Sequence, residues 1–232
     1  MAALPGMVVG AYEDKSFASP EEALNYFVEE MRACDLEGAL EAFPVVRAAE
    51  NFDFDKYLDR LQGWAPSDIM NYPSTCELYK NLNQSKFVSK ILSYVCNFTL
   101  FLCSDDIFLD GNAIMIEEMD IPGLMEAAAE ETSQIADLEL VRMDYYDPEI
   151  QDGEGMQESW KEQAALYGGD GFAQYFVQYR MGDTLYLGGA TFIRYGEEYY
   201  LWELDCTLSG IRLEGAVMAV TEEEYNNIVL TH

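Results

Sequence analysis

The sequence predicts an α+β fold, in which N-terminal helices pack on an antiparallel sheet formed mainly by the C-terminal half. Two observations predict it: helical periodicity with a capping box at Ser19, and three strand-like runs separated by tight-turn signals late in the chain. Half of the 232 residues are hydrophobic, which is enough apolar mass for a core. We expect an irregular lead-in over 1–18 and a single domain over 19–232.

The N-terminal part predicts three helices. Ser19-Pro20-Glu21-Glu22 is a capping box with proline at the first helical position. The apolar residues that follow at helical spacing are Ala23, Leu24, Phe27, Val28 and Met31. Asp35 is expected to cap a second helix, with Leu36, Ala39, Leu40 and Phe43 buried and Pro44 discouraging its continuation. A third helix is predicted near Phe52 to Leu61, ending at Gly63, with Phe54, Leu58 and Leu61 inward.

The middle of the chain leaves two interpretations open. Between about Ser74 and Cys103, one face at helical period carries Phe87, Ile91, Tyr94, Val95, Phe98 and Leu102, which favours a long helix. The alternative is a buried strand over 94–103, since Tyr, Val, Phe and Thr prefer strands. A turn at Asp110-Gly111, a strand over 113–116 and a helix from Ile121-Pro122 to about Ser133 are expected next.

The C-terminal half predicts most of the sheet. A strand over 138–143, a loop over 147–155 and a helix over 156–167 lead into strands over 172–181, 185–195 and 199–207. Gly182-Asp183 and Gly196-Glu197 indicate tight turns, so these three strands form an antiparallel meander. A fourth strand is expected within 210–220, and Thr221-Glu222-Glu223-Glu224 is a second capping box.

Net charge and the rare residues exclude several functions. With 43 acidic and 13 basic residues the formal charge is −30, which would repel a nucleic-acid backbone or an anionic membrane. The only histidine is His232 at the chain end, so Ser-His-Asp and Cys-His nucleophilic systems lack their base, and His-containing zinc sites lack ligands. Acid–base work would fall to Asp, Glu, Tyr, Cys or Lys.

The five cysteines predict no disulfide framework. Cys34, Cys76, Cys96, Cys103 and Cys206 are odd in number and contain no C-x-x-C pair, so we interpret them as small buried apolar residues. A single tertiary disulfide is the alternative that the sequence leaves open. The N-terminus does not resemble a signal peptide, and the apolar stretch over 91–103 is too short and interrupted to span a bilayer. The protein is therefore cytoplasmic, or exported with its leader removed.

The acidic residues are concentrated in the middle of the chain. Residues 104–162 contain 18 acidic and two basic residues, a net charge of −16, whereas 71–103 are slightly positive. This segment is either a solvated face or a face for a cationic partner. Asp147, Glu149, Asp152 and Glu154 could bind a hard cation, but Gly153 comes one position late for an EF-hand, and we predict no metal site.

Two stretches resemble nuclear-transport-factor-like domains. The first runs from Phe17-Ala-Ser-Pro-Glu-Glu through Met31 and on through Asp35 to Phe43. The second begins at Ala164–Gly168, includes the strands that follow, and ends with Tyr195-Gly196-Glu-Glu-Tyr-Tyr-Leu-Trp202. The resemblance implies helices that close over a strongly curved antiparallel sheet with a pocket between them. The chain looks like bacterial members of this superfamily, many of which are exported and lipid-anchored. Such open sheets often pair, which makes a homodimer one expected form.

The meander supplies the candidate ligand-binding residues. On alternating strand positions they are Tyr186, Arg194, Tyr200, Trp202, Glu203 and Asp205. Arg194 could pair with Glu203 or Asp205, either as an ion pair inside a pocket or as an ordinary exposed cross-strand pair. The aromatic residues would either stack on a ligand or belong to the sheet core.

The expected function is a non-catalytic module for a small apolar ligand or a protein partner, without organic cofactor, catalytic residue, nucleic acid or transmembrane segment. The alternative is a metal-free isomerase, dehydratase or cyclase that uses a pocket carboxylate and tyrosine.

Overall fold

Helices come first along the chain and the sheet follows, which confirms the predicted α+β class. The computed structural model describes residues 13–61, 71–103, 122–123, 132–145, 148–205, 211 and 213–231. The helices are α1 (Pro20–Arg32), α2 (Leu36–Glu41), α3 (Val45–Asn51), α4 (Phe54–Arg60), α5 (Glu77–Cys103), α6 (Pro148–Gln151), α7 (Glu154–Ala165) and α8 (Glu222–Thr231), with a 3₁₀-helix at Thr132–Asp137. The strands are β1 (Glu139–Tyr145), β2 (Gly171–Met181), β3 (Thr184–Tyr195), β4 (Glu198–Glu203) and β5 (Met218–Val220).

The predicted capping box at Thr221 forms in full, and the one at Ser19 forms with the Glu22 carboxylate accepting from the Ala18 N–H instead of the Ser19 N–H. Ser19 Oγ accepts a hydrogen bond from the Glu22 N–H at 3.2 Å and begins α1. At α8, Thr221 Oγ1 accepts from the Glu224 N–H at 3.2 Å, and the Glu224 carboxylate accepts from the Thr221 N–H at 2.7 Å. These bonds satisfy backbone donors that a helix start otherwise leaves unpaired, so local sequence sets both helix starts.

The helices after α1 correct the sequence prediction in three places. Asp35 does cap α2, but Leu36 is exposed and not part of the buried stripe. A helix that was not predicted, α3, begins directly after Pro44. The predicted third helix is the shorter α4, which has no fully buried residue, and its Leu58 is 42% exposed. Gly63 lies outside the described residues.

The long helix between 74 and 103 is confirmed as α5, and the strand alternative is wrong. Its inward residues recur at helical spacing and include Ile91, Tyr94 and Phe98. By length and composition α5 is apolar enough to cross a membrane, a test that core helices of soluble proteins also pass. It is the one helix in the described ranges that does so.

The predicted meander is present in the C-terminal half. The strand order is β1-β2-β3-β4, all antiparallel, and β5 pairs with β3 beyond the end of β4. Gly182 and Gly196 adopt positive φ at the two tight turns, where L side chains are strained. Register shifts interrupt β1 between Leu140 and Arg142, and β3 between Thr191 and Phe192. Such irregularities bend a sheet.

The sheet has helices on both faces. One face joins α1, α2 and α5 in the largest core, with Phe27, Phe98 and Phe192 fully buried. The other face packs against α8 through Tyr225 and against α7 through Ala164. The space between the N-terminal helices and the sheet is thus filled largely by the protein's own side chains.

The C-terminal elements differ from the prediction in detail. The segment predicted as a loop over 147–155 contains the short helix α6, and the following helix begins at Glu154 instead of 156. The strand expected at 199–207 is the shorter β4, and the fourth strand is the three-residue β5. The predicted turn at Asp110-Gly111, the strand over 113–116 and most of the helix over 121–133 lie outside the described residues.

The interpretation of the cysteines as buried is wrong for three of them. Cys34, Cys76 and Cys96 are exposed, and Cys103 is buried. Cys96 and Cys103 lie on the same helix, α5, but differ in burial. Cys206 lies outside the described residues.

Candidate functional site

The structure places the six predicted ligand-binding residues in several different surroundings. Tyr186 is buried in the main core, where its hydroxyl donates to the Leu102 carbonyl at 3.1 Å. Arg194 is exposed. The backbone carbonyl of Asp205 accepts a hydrogen bond from Thr191 Oγ1. Of the two acidic residues expected near Arg194, Glu203 and Asp205, the Glu203 carboxylate pairs with Lys90 on α5.

Glu203 contacts Lys90 and Tyr94, two residues that line a small cleft between α5 and β4. Its Oε1 atom is 2.6 Å from Lys90 Nζ, and the Tyr94 hydroxyl donates to the same oxygen at 3.4 Å. Burial, reinforced by the nearby Glu203 charge, raises the pKa of Tyr94, so this hydroxyl stays protonated. These three groups lie on α5 and β4, and the sequence pattern gave no sign that they meet.

The cleft beside Lys90 is too small for an organic ligand. It is lined by Phe43, Pro44, Val45, Phe87, Lys90, Ile91, Tyr94 and Trp202. Its volume of about 20 Å³ is room for about one water molecule. Among the predicted site residues, Trp202 lines this cleft, and its ring occupies volume that an open pocket would leave to a ligand.

Trp202 belongs to a continuous aromatic cluster. Its ring lies 4.7 Å from that of Tyr167 and 5.8 Å from that of Phe87, and Tyr167 in turn lies 5.5 Å from Phe52. Burial raises the pKa of Tyr167 to about 12. The cluster therefore runs from the small cleft to Phe52, which lines a second and much larger cleft.

The larger cleft lies where α3 meets α4. It has a volume of about 450 Å³ and is lined by Glu50, Asn51, Phe52, Asp53, Phe54, Asp55, Pro73, Ser74 and Thr75. Three of these residues are acidic, two are phenylalanines, and none of the described lining residues is basic. This size lies within the range of small-molecule sites.

Hydrogen bonds hold the two walls of the larger cleft together. Ser74 donates through its hydroxyl to the Ala49 carbonyl at 2.6 Å. The buried Asn83 side chain on α5 donates to the Tyr72 carbonyl and accepts from the Tyr72 N–H, each at 2.8 Å. The wall of 73–75 is therefore fixed against both α3 and α5.

The carboxylates of the larger cleft differ in how they are partnered. Asp53 caps α4, and hydrogen bonds from the Lys56 N–H and ammonium group hold the pKa of Asp53 below its usual value. Glu50 and Asp55 are exposed, and no ion pair joins either of them to another residue in the described part of the chain. The cleft therefore presents two unneutralised carboxylates beside aromatic rings. Sequence reasoning missed it, although the Glu50-Asn-Phe-Asp-Phe-Asp55 alternation was a local signal.

Tyr200 lies in a network that fastens the lead-in to α3. Arg47 donates to Glu198 at 2.5 Å and to the Tyr200 hydroxyl at 2.7 Å, and its guanidinium lies 4.6 Å from the Tyr195 ring centre. The Asp14 carboxylate accepts from the N–H groups of Val46 and Arg47, while burial raises the pKa of Asp14. All of these groups are mutually satisfied, which is typical of structural anchoring.

The predicted acidic loop does not bring carboxylates together as a cation site. Asp152 accepts a hydrogen bond from the Tyr145 hydroxyl at 3.1 Å, and Asp147 lies outside the described residues. Within the described ranges no group of three His, Cys, Asp or Glu side chains could hold a metal ion.

Comparison with known proteins identifies the fold. No family model matches the chain, and no curated protein matches it. A crystal structure of a cystatin-like protein from Ruminococcus gnavus ATCC 29149 matches with a TM-score of 0.50 and 16% identity. The match covers 87% of this chain and 44% of that one, so the chain spans less than half of the length of this structural neighbour. At this identity the likeness concerns architecture alone, and the protein has a cystatin-like α+β fold.

Proposed function

We propose that this protein is a non-catalytic binding module for a ligand or partner group that carries positive charge, bound in the cleft between α3 and α4. The observation that carries the proposal is the lining of that cleft by Glu50, Asp53 and Asp55 together with Phe52 and Phe54, in a volume of about 450 Å³. The bound group is an organic ammonium ion, either of a small molecule or of a side chain on a partner protein.

Carboxylates and aromatic rings together favour an organic cation over other ligands. An ammonium group gains electrostatic attraction from Glu50 and Asp55 and a cation–π contact with an adjacent ring such as Phe54. An anionic ligand would be repelled, and a purely apolar one would leave the carboxylates without a partner. The Ser74–Ala49 hydrogen bond supports the proposal because a pre-formed wall lowers the ordering cost of binding.

The net charge of the chain supports the same ligand chemistry. A formal charge of −30 creates a negative potential that raises the local concentration of cations and their association rate. The small apolar ligand expected from the sequence has less support, because the cleft beside Trp202 has room for about one water molecule.

The enzyme alternative rests on two carboxylate–tyrosine pairs, Glu203 with Tyr94 and Asp144 with Tyr225. In both pairs the carboxylate is also ion-paired, to Lys90 or to Arg142. Each carboxylate oxygen that faces the tyrosine is thus already engaged by a cation and by the tyrosine hydroxyl, which leaves it poorly placed to accept a proton from a substrate. Binding without chemistry is therefore the better-supported function.

Calorimetric titration with choline, and with its neutral carbon isostere dimethylbutanol, tests the proposal. We expect choline to bind with a Kd of roughly millimolar order and the isostere at least about tenfold more weakly. Each carboxylate about 4 Å from the cation contributes about 1 kcal/mol in water, so the double variant Glu50→Gln, Asp55→Asn should weaken choline binding about 30-fold.

A matched variant separates the cleft from the general charge of the protein. Glu37→Gln with Glu158→Gln removes the same two charges from exposed positions on α2 and α7, and it should leave choline affinity unchanged. Equal affinity for choline and the isostere, or equal loss in both double variants, would refute the proposed site.

We also propose that residues 19–232 form one domain of the nuclear-transport-factor-like superfamily. The proposal is supported by the largest apolar cluster, which joins Leu24 near the N-terminus with Val217 near the C-terminus. The helix pair α1–α2 packed beside an antiparallel sheet supports it as well. Limited proteolysis tests it: one protected fragment of about this length supports a single domain, and two separately stable fragments contradict it.

A further inference from the structure

The two edges of the sheet differ in how they are covered. At the β4 edge, Tyr199 and Phe17 exchange backbone hydrogen bonds at 2.9 and 3.2 Å, and the Leu201 N–H donates to the Ala42 carbonyl at 2.9 Å. At the other edge, β1 pairs with β2, and no other described strand or loop makes a backbone hydrogen bond to it. Its seven residues are all half-buried or exposed. An edge of this kind is a template for another strand.

We infer that β1 pairs antiparallel with β1 of a second copy of this chain, about a two-fold axis at Met143. A two-fold axis perpendicular to the sheet keeps each side chain on its own face. The axis must therefore pass through a residue that lies opposite its own copy. Because the register shift between Leu140 and Arg142 breaks the alternation of β1, the axis must lie in the regular stretch that begins at Arg142.

The charges on β1 select one of these registers. An axis at Arg142 places two guanidinium groups opposite each other, and an axis at Asp144 places two carboxylates opposite each other; both arrangements are unfavourable. An axis at Met143 places Arg142 opposite Asp144 of the second copy, twice, within the regular part of β1 that follows the register shift. The strand is thus complementary to itself in this register.

Arg142 and Asp144 are already positioned for such pairing. Arg142 Nε lies 2.9 Å from Asp144 Oδ2, and the Asn226 side chain of α8 accepts a hydrogen bond from Arg142 Nη2 at 2.6 Å. About a third of each side chain stays exposed, so both charges can still face the second copy. A short paired stretch between two chains of charge −30 predicts a weak dimer, with a Kd of roughly micromolar order at moderate salt.

Sedimentation velocity over a concentration series tests the inference with charge variants at the axis. Met143→Lys and Met143→Glu each place like charges opposite each other, so each variant alone should dimerise at least about tenfold more weakly than the wild type. An equimolar mixture of the two should form a heterodimer of roughly wild-type affinity, because Lys then lies opposite Glu. Leu36→Lys, at an exposed position on α2, is the control and should dimerise as the wild type does.

Three results would overturn the inference: a wild type that stays monomeric at every concentration, a dimer unaffected by Met143→Lys, or a mixture that associates no better than its components. Hydrogen exchange of the wild type gives a readout that needs no variant. Amides in β1 should exchange more slowly as concentration rises, and an unchanged rate would also overturn the inference.

Discussion

Gly215 holds the segment before β5 against α5, and its replacement by alanine predicts a large loss of stability. Gly215 has a φ of +83°, and its N–H donates to the Leu204 carbonyl at 2.8 Å. A Cβ atom there would lie 2.3 Å from the Tyr94 carbonyl oxygen and 2.7 Å from the Tyr94 Cα. Because these are backbone atoms of a long packed helix, no side-chain rotation can relieve the overlap.

Two other glycines separate the cost of backbone strain at positive φ from the cost of steric overlap with neighbouring atoms. Gly182 has a φ of +59° and open space where its Cβ would be, so Gly182→Ala costs backbone strain alone, about 1 kcal/mol. Gly155 lies in α7 with open space and no positive φ, so Gly155→Ala should stabilise by about 0.5–1 kcal/mol. Gly215→Ala adds overpacking to the strain, for a total of about 2–4 kcal/mol.

Urea unfolding followed by circular dichroism measures the three free energies of unfolding. The expected order of stability is Gly155→Ala, wild type, Gly182→Ala and then Gly215→Ala. A Gly215→Ala variant no less stable than Gly182→Ala would refute the close approach of the 213–217 segment to α5.

Two further predictions concern helix α8 and alkaline stability. Thr221→Ala removes the cap of α8 and should cost about 1 kcal/mol, seen as faster hydrogen exchange in α8 than in α1; unchanged exchange would contradict the capping account. Tyr167 has its pKa raised from 10.0 to about 12 by burial, so the unfolded chain releases this proton first and stability falls as pH rises from about 10 to about 12. Tyr167→Phe should remove this part of the alkaline loss, and an unchanged pH dependence of unfolding would contradict it.

Local sequence patterns predicted the elements whose causes are local. Each such element depends on residues within four positions of one another. They are the helix starts at Ser19 and Thr221 and the glycine turns at 182 and 196. Helix α3 was missed for the opposite reason. The N–H groups of its second and third residues, Val46 and Arg47, donate to the Asp14 carboxylate more than thirty positions earlier in the chain, and no local pattern reveals such a cap.

The candidate site was predicted less well because it depends on contacts across the fold. Strand alternation placed Tyr186, Tyr200 and Trp202 together, but Tyr186 packs in the main core on one face of the sheet, whereas Tyr200 and Trp202 belong to the cluster on the other face. The pairing of Lys90 with Glu203 joins two residues that are far apart in sequence. In the larger cleft one wall is a local acidic–aromatic run, whereas the other is brought to it by the Ser74–Ala49 hydrogen bond.

A nuclear magnetic resonance titration with choline reports where on the protein the cation binds. Amide shifts should concentrate in 50–55 and 74–75, the described walls of the acidic–aromatic cleft. Shifts centred instead on Lys90, Trp202 and Glu203, or spread evenly over the acidic surface, would contradict the proposed site.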